Sequence, residues 1–248
     1  MSDDASPIAA ARAIARQRMV TDQIARRGVR DPAVLEAMRT VPREAFLPLD
    51  LHPLAYDDTP LPIAAEQTIS QPYIVALMAE ALALEPADRV LEVGTGSGYA
   101  AAVLSRIAAE VYSVERHAGL AAGAAAALAA LGYGNARVLH GDGTQGWPEH
   151  APYDAIVVAA GSRSVPPALR AQLTICGRLV IPLGDTPHLQ ELVRILRTGP
   201  DSYRQENLGG VRFVPLVGTQ GWLESPPDAS LTTAWRRRPR GRRRVPRR

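Results

Sequence analysis

A chain of 248 residues with 46% hydrophobic side chains can bury one sizeable core, and 21% charged residues suit a water-exposed surface. All 28 of its Lys and Arg residues are Arg, which excludes lysine-based covalent chemistry; a single cysteine excludes an internal disulfide and a cysteine-built zinc cluster. The net charge of +3 hides two regions: residues 236–248, "RRRPRGRRRVPRR", hold nine Arg and no acid, and the remaining 19 Arg face 25 acids, a net of −6.

The first residues, "MSDDASPIAA", are acidic and lack the basic-then-apolar layout of a signal peptide. No run approaches the roughly 18 apolar residues of a membrane span. A cytoplasmic protein with no membrane contact is expected, and the five His, without HxxxH spacing, suggest no metal site.

In chain order, residues 6–28 read as a helix with Ile14, Val20 and Ile24 as apolar markers. Asp31-Pro32 reads as an N-cap with proline at the first helical position, opening a second helix to about Met38. Residues 47–66 are Pro-rich and irregular, with acids at Asp57 and Asp58. Ser70 or Gln71 is then expected to cap a helix from Pro72, with Ile74, Leu77, Met78, Ala81 and Leu82 on one face.

From residue 88 apolar runs alternate with helical segments. "RVLEVG", "EVYSVE", "ARVLHGD", "DAIVVAA" and "GRLVIPLG" read as five buried strands, and "LVRILRT" and "VRFVPLV" as two that finish the sheet. The Ala-rich segment 118–131 reads as a helix stopped by Gly132. The pattern predicts an α/β fold with a doubly wound, mostly parallel seven-stranded sheet. Residues 1–66 are expected to form a helical segment packing on the core, 67–221 the core itself, and 222–248 a disordered Arg-rich tail. Such a tail can meet nucleic-acid phosphates without any part in catalysis.

"LEVGTGSGY" places Gly94, Gly96 and Gly98 at alternate positions between a strand and a helix, where a chain can turn sharply and let a ligand approach its backbone. The dinucleotide fingerprint wants a small residue five positions after the first glycine, and Tyr99 is bulky. The GxGxG form instead matches S-adenosyl-L-methionine (AdoMet) methyltransferases, with Thr95 inside the loop. Glu115 ends the second strand of the unit, where a carboxylate can accept ribose hydroxyls. Asp142, beside Gly143 in "HGDG", ends the third and can reach an adenine amino group.

The chain resembles protein-L-isoaspartate O-methyltransferases in "VPREAFLP", "QTISQPYIVALM", "VLEVGTGSGY", "VYSVER", "HGDGTQGW", "YDAIVV", "GRLVIPLG" and "VRFVPLVG", in family order from about residue 15 to 219. The resemblance implies methyl transfer from AdoMet, leaving S-adenosyl-L-homocysteine, to the free carboxylate of L-isoaspartyl residues in damaged proteins. The ester then collapses to a succinimide that hydrolyses in part to aspartate. It further implies a catalytic role for Ser70, substrate contacts from Thr68, Ile69 and Val214, and cofactor contacts from Gly94, Thr95, Gly96, Gly98, Glu115, Asp142 and Gly143. A monomer is expected.

Two departures stand out. The family's glycines before "QTIS" are replaced at Ala64 and Glu66, and a carboxylate at Glu66 should repel an anionic substrate unless it turns to solvent. Cys176 stands where glycine is common and is expected to be a small buried residue. The alternative reading is an AdoMet-dependent methyltransferase acting on a small molecule or nucleic acid. Against the nucleic-acid variant, the fourth strand is followed by "AAGSRSVPP", which lacks the Pro-Pro-aromatic loop of adenine methylators.

Overall fold

A computed structural model describes residues 7–186 and 189–223, so the Arg-rich run lies outside the described residues. The N-terminal helix is composite: α1 (Pro7–Arg18) runs into a π-helical turn at Met19–Ile24 and a 3-10 turn at Ala25–Arg27. The π turn inserts a residue and rotates the apolar stripe. Met19, Val20 and Ile24 are therefore buried, whereas Ile14 is 55% exposed and is not a core marker. α2 (Pro32–Thr40) begins as its sequence indicates, with Asp31 Oδ1 accepting the Ala33 and Val34 amides.

A two-strand hairpin, β1 (Leu61–Pro62) and β2 (Thr68–Ile69), leads into α3 (Pro72–Ala81). The core follows as β3 (Arg89–Val93), α4 (Tyr99–Ser105), β4 (Glu110–Glu115), α5 (Ala118–Ala130), β5 (Ala136–His140), β6 (Tyr153–Val158), α6 (Pro167–Ala171), β7 (Leu173–Thr186), β8 (Leu189–Arg197) and β9 (Tyr203–Val211). The seven strands are ordered β5-β4-β3-β6-β7-β8-β9. The first five are parallel; β8 and β9 run antiparallel at the far edge. The chain winds outward from β3 to β5, then returns to β6 on the other side of β3. Beyond the carboxyl ends of β3 and β6 lies the switch point where open α/β sheets bind ligands.

Two expectations fail at the end of the chain. The last strand is Tyr203–Val211, and "RFVPL" lies after it: Phe213 and Val214 fold back beside the loop following β6, where Gly161 N–H donates to Val214 O at 2.8 Å and Leu216 N–H to Gly161 O at 2.7 Å. Cys176 is exposed. It sits at φ 68° in a bulge where the β6–β7 register jumps from the Tyr153–Leu173 pair to Ala155–Arg178, which turns Ile175 and Cys176 outward.

The helix after "TIS" is capped from a distance. Gln71 is the N-cap residue, with no side-chain cap bond of its own, and Ser70 takes no part. Instead Asp58 Oδ1 accepts the Tyr73 amide at 3.3 Å, while Oδ2 takes the Gln71 side-chain amide and Arg27 Nη1, each at 2.6 Å. One partly buried carboxylate thus ties the N-terminal segment to the start of α3, two residues beyond Ser70. Asp58→Ala is expected to lower stability by about 1–3 kcal/mol, read from urea denaturation, because it strips three donors of a charged acceptor.

Candidate active site

The carboxyl ends of β3 and β4 and the residues after β6 frame a cleft of about 480 Å³, within the usual range for small-molecule sites. Its walls include Thr68, Ile69, Ser70, Gly94, Thr95, Gly96, Glu115, Gly143 and Val214, so nine of the eleven residues singled out from sequence converge on one space. The other two, Gly98 and Asp142, do not line it.

Gly98 acts behind the loop. It is the N-cap of α4 at φ 91°, and a Cβ there would sit 3.3 Å from Ala124 Cβ on α5. Its small size lets a positive-φ turn pack against a helix. Gly143, by contrast, reaches the cleft because β3 passes close beneath it: a Cβ would meet Val93 Cγ1 at 2.5 Å.

Asp142 is an anchor. Oδ1 accepts the Thr144 amide at 2.9 Å and hydroxyl at 2.6 Å, and Oδ2 accepts the Thr219 amide at 2.8 Å and hydroxyl at 2.9 Å. These four donors occupy the carboxylate, and Asp142 stands behind the cleft lining and not in it. It fastens the segment after β9, which carries Val214, to the turn after β5. Val214 is also steadied through its neighbour Phe213, whose backbone N–H and C=O both pair with the side-chain amide of buried Gln190.

Glu115 is 5% exposed, and each of its oxygens accepts one backbone amide at 2.9 Å, from Gly96 and from His117. A carboxylate oxygen can accept more than one bond, so the group is both fixed and still able to take the paired hydroxyls of a ribose. Sequence reasoning missed Tyr99, Arg116, His117 and Leu216, which also line the cleft. The first three adjoin the glycine loop or Glu115 in sequence, and that adjacency was the available signal.

One wall of the cleft is the hairpin turn. Gln67 N–H donates to Ala64 O at 3.1 Å, and the two central residues, Ala65 and Glu66, both have φ 56°. Positive φ at both centres is the mirror-image hairpin turn, which favours Gly and Asn. The strain therefore falls on Ala65 and Glu66, and Ala64 is not one of its sites. Glu66 is exposed at the rim, on the cleft wall but open to solvent.

The Ser70 hydroxyl is engaged by no described residue, and it faces the same cleft as Glu115 and the glycine loop. Ile69, Val75, Ala159 and Leu216 supply apolar surface there.

Burial alone would push the Asp142 pKa up, but the hydrogen bonds from Thr144 and Thr219 outweigh it and hold it down to about 2, from 3.8. A depressed carboxyl pKa adds stability that is present above about 3.8 and lost as pH falls through about 2. Asp142→Asn is expected to be less stable than the unsubstituted protein at neutral pH, and the difference in Tm should shrink as pH falls through that window.

The sequence profile described as Protein-L-isoaspartate(D-aspartate) O-methyltransferase (PCMT) matches residues 15–221. The chain is 63% identical over 207 residues to protein-L-isoaspartate O-methyltransferase 2 of Pelobacter propionicus, covering 84% of this chain and 92% of the relative. It is 60% identical over 228 residues to protein-L-isoaspartate O-methyltransferase 1 of Rhodopseudomonas palustris, covering 92% and 91%. Among solved structures, a protein-L-isoaspartate O-methyltransferase superposes with a TM-score of 0.74 at 32% identity, over 83% of this chain and 67% of the other. A Plasmodium falciparum structure in complex with S-adenosyl-L-homocysteine gives 0.69 at 25% identity, over 82% and 98%. With its sheet order, its cleft and these relatives in agreement, the chain belongs to the protein-L-isoaspartate(D-aspartate) O-methyltransferase family.

Proposed function

We infer that this chain transfers a methyl group from AdoMet to the free carboxylate of L-isoaspartyl residues in damaged proteins and peptides, beginning their repair to aspartate. The observation that carries the reading is Ser70: a hydroxyl released from helix capping by Asp58 and set on the wall of a cleft that also holds Glu115 and the glycine loop.

AdoMet supplies a methyl group already activated by its sulfonium. The chain's own residues then have little chemistry to perform. The accepting carboxylate is ionised at neutral pH, so no general base is required. An O–CH₃ bond forms as the S–CH₃ bond breaks, and the products are a methyl ester and S-adenosyl-L-homocysteine. Ser70 donates to the carboxylate and aims it without adding charge, and Thr68, Ile69 and Val214 bound the peptide. Gly94, Thr95, Gly96 and Gly143 offer backbone at close range, and Glu115 holds the ribose. Placement of this kind is worth about 7–11 kcal/mol of barrier.

No helix among the described residues is long and apolar enough to cross a membrane. We assign the enzyme to the cytoplasm, a place consistent with its single, exposed thiol, and to action as a monomer. Any contact of the Arg-rich run with nucleic acid is separate from catalysis.

The deciding experiment is radiolabelled methyl transfer to an isoaspartyl peptide beside its aspartyl twin; transfer to both equally, or to neither, would overturn the reading. Ser70→Ala is expected to slow turnover roughly 10–150-fold, the worth of one hydrogen bond to a charged group, with S-adenosyl-L-homocysteine affinity nearly unchanged. Glu115→Ala should show the opposite pattern. Calorimetry should report S-adenosyl-L-homocysteine binding weaker by about 10-fold or more, while circular dichroism reports an unaltered fold.

A further inference from the structure

β3 buries Val90 through Val93, and strand alternation puts Val90 and Glu92 on the face covered by α3 and α4. Glu92 thus occupies a core position and is only 1% exposed. Its Oε2 accepts the Ser113 hydroxyl from β4, and Ser113 Oγ lies 2.6 Å from Thr95 Oγ1 in the glycine loop. Its Oε1 is buried and has no hydrogen-bond partner among the described residues. Buried carboxyl oxygens are rarely left so, because the lost solvation is costly.

Glu92 lines a second, small cavity of about 30 Å³. Ser70 lines it too, and Ser70 also lines the main cleft. The other walls are apolar: Val75, Met78 and Ala79 from α3, Ala100 and Leu104 from α4, Val157 and Ala159 from and after β6. The space suits one water, and a water there would have two polar partners.

We propose that Glu92, in its carboxylic-acid form, is a positioning residue that reaches the Ser70 hydroxyl through one water in this cavity and fixes the direction in which that hydroxyl donates. The inference rests on the assignment of Ser70 above. The donors run in one sense. The Thr95 hydroxyl gives to Ser113, Ser113 to Glu92 Oε2, Glu92 Oε1–H to the water, and the water to Ser70 Oγ. The Ser70 proton is left for the substrate carboxylate.

The surroundings favour the acid form. Ser113 and Glu115 face Glu92 from β4, and the elements packed on it from α3, α4 and β6 contribute apolar groups to the cavity. Burial pushes the Glu92 pKa up, the Ser113 hydrogen bond opposes this, and the Glu115 charge adds to it, for a value of about 8 against 4.5. A raised pKa means that the group's contribution to stability is full below about 4.5 and lost as pH rises through about 8. Above that pH, Glu92 is an anion close to an anionic substrate and its Oε1 no longer donates.

The test follows S-adenosyl-L-homocysteine formation with an isoaspartyl peptide across pH, beside thermal unfolding, for the unsubstituted enzyme, Glu92→Gln, Glu92→Leu and Ser70→Ala. The unsubstituted enzyme should lose kcat/KM as pH rises through about 8, approaching about tenfold per pH unit. Glu92→Leu should unfold at a higher temperature than the unsubstituted enzyme above neutral pH, yet lose about three- to tenfold in kcat/KM. Glu92→Gln, whose amide keeps a donor, should recover part of that loss and show no alkaline fall. Independently of any variant, the infrared spectrum at neutral pH should contain a carboxylic-acid C=O band that fades through the same window. Full activity in Glu92→Leu, an unchanged alkaline fall in Glu92→Gln, or no such band would overturn the proposal. If Ser70→Ala matches the unsubstituted enzyme, the Ser70 assignment itself fails; if Ser70→Ala is slow and the Glu92 results are negative, only this inference does.

Discussion

The Glu115 carboxylate accepts the Gly96 and His117 amides at 2.9 Å each from a site 5% exposed, and the cleft takes its shape from those two bonds. A buried carboxylate is costly unless such donors compensate it. Here the donors belong to the glycine loop and to the residue before α5, so satisfying the charge also holds the loop against β4. The switch point between β3 and β6 fixes where the cleft lies, and Glu115 fixes how its glycine-loop half is set. The hydroxyl half is set separately, by Asp58 behind α3 and by Asp142 and Gln190 behind Val214. Three carboxylates and an amide thus place backbone, and the groups that face the reactants stay largely uncharged.

That division of labour suits the reaction. Methyl transfer from a sulfonium to a carboxylate cancels charge, and an extra charge beside the reacting atoms would stabilise one reactant more than the transition state. Neutral Ser70 and the apolar walls of the cleft avoid this, as does Glu92 in the acid form proposed above. Glu66 is the exception in sequence, yet its turn carries it to the solvent rim.

The parallel core was legible because its strands are short apolar runs, most of them ending at a glycine or an acid, and α5 because an alanine-rich stretch stops at Gly132. Asp31-Pro32 specified α2 for the local reason that a cap is a short-range interaction. What escaped was long-range. Nothing around Met19 signals a π turn, since the turn is the outcome of burying Met19, Val20 and Ile24 together. β9 is polar along most of its length and is held by pairing with β8 alone, so the apolar "VRFVPLV" looked the better strand. The cleft was largely readable from loop residues next to strand ends. Asp142 and Gly98 belong to the same motifs but do not line it, because what surrounds them, Thr219 and Ala124, lies far along the chain.

β9 forms the outer boundary of the sheet, and its exposed side carries Arg204, Gln205, Glu206 and Asn207, followed by Gly209 at φ 116° and a register shift opposite Leu192–Val193. Charge, irregularity and a flexible joint all discourage a foreign strand from adding to an open border. An extended peptide approaching this border therefore finds no regular ladder to join, and the cleft at the sheet's switch point is left as the place where such a chain can be held.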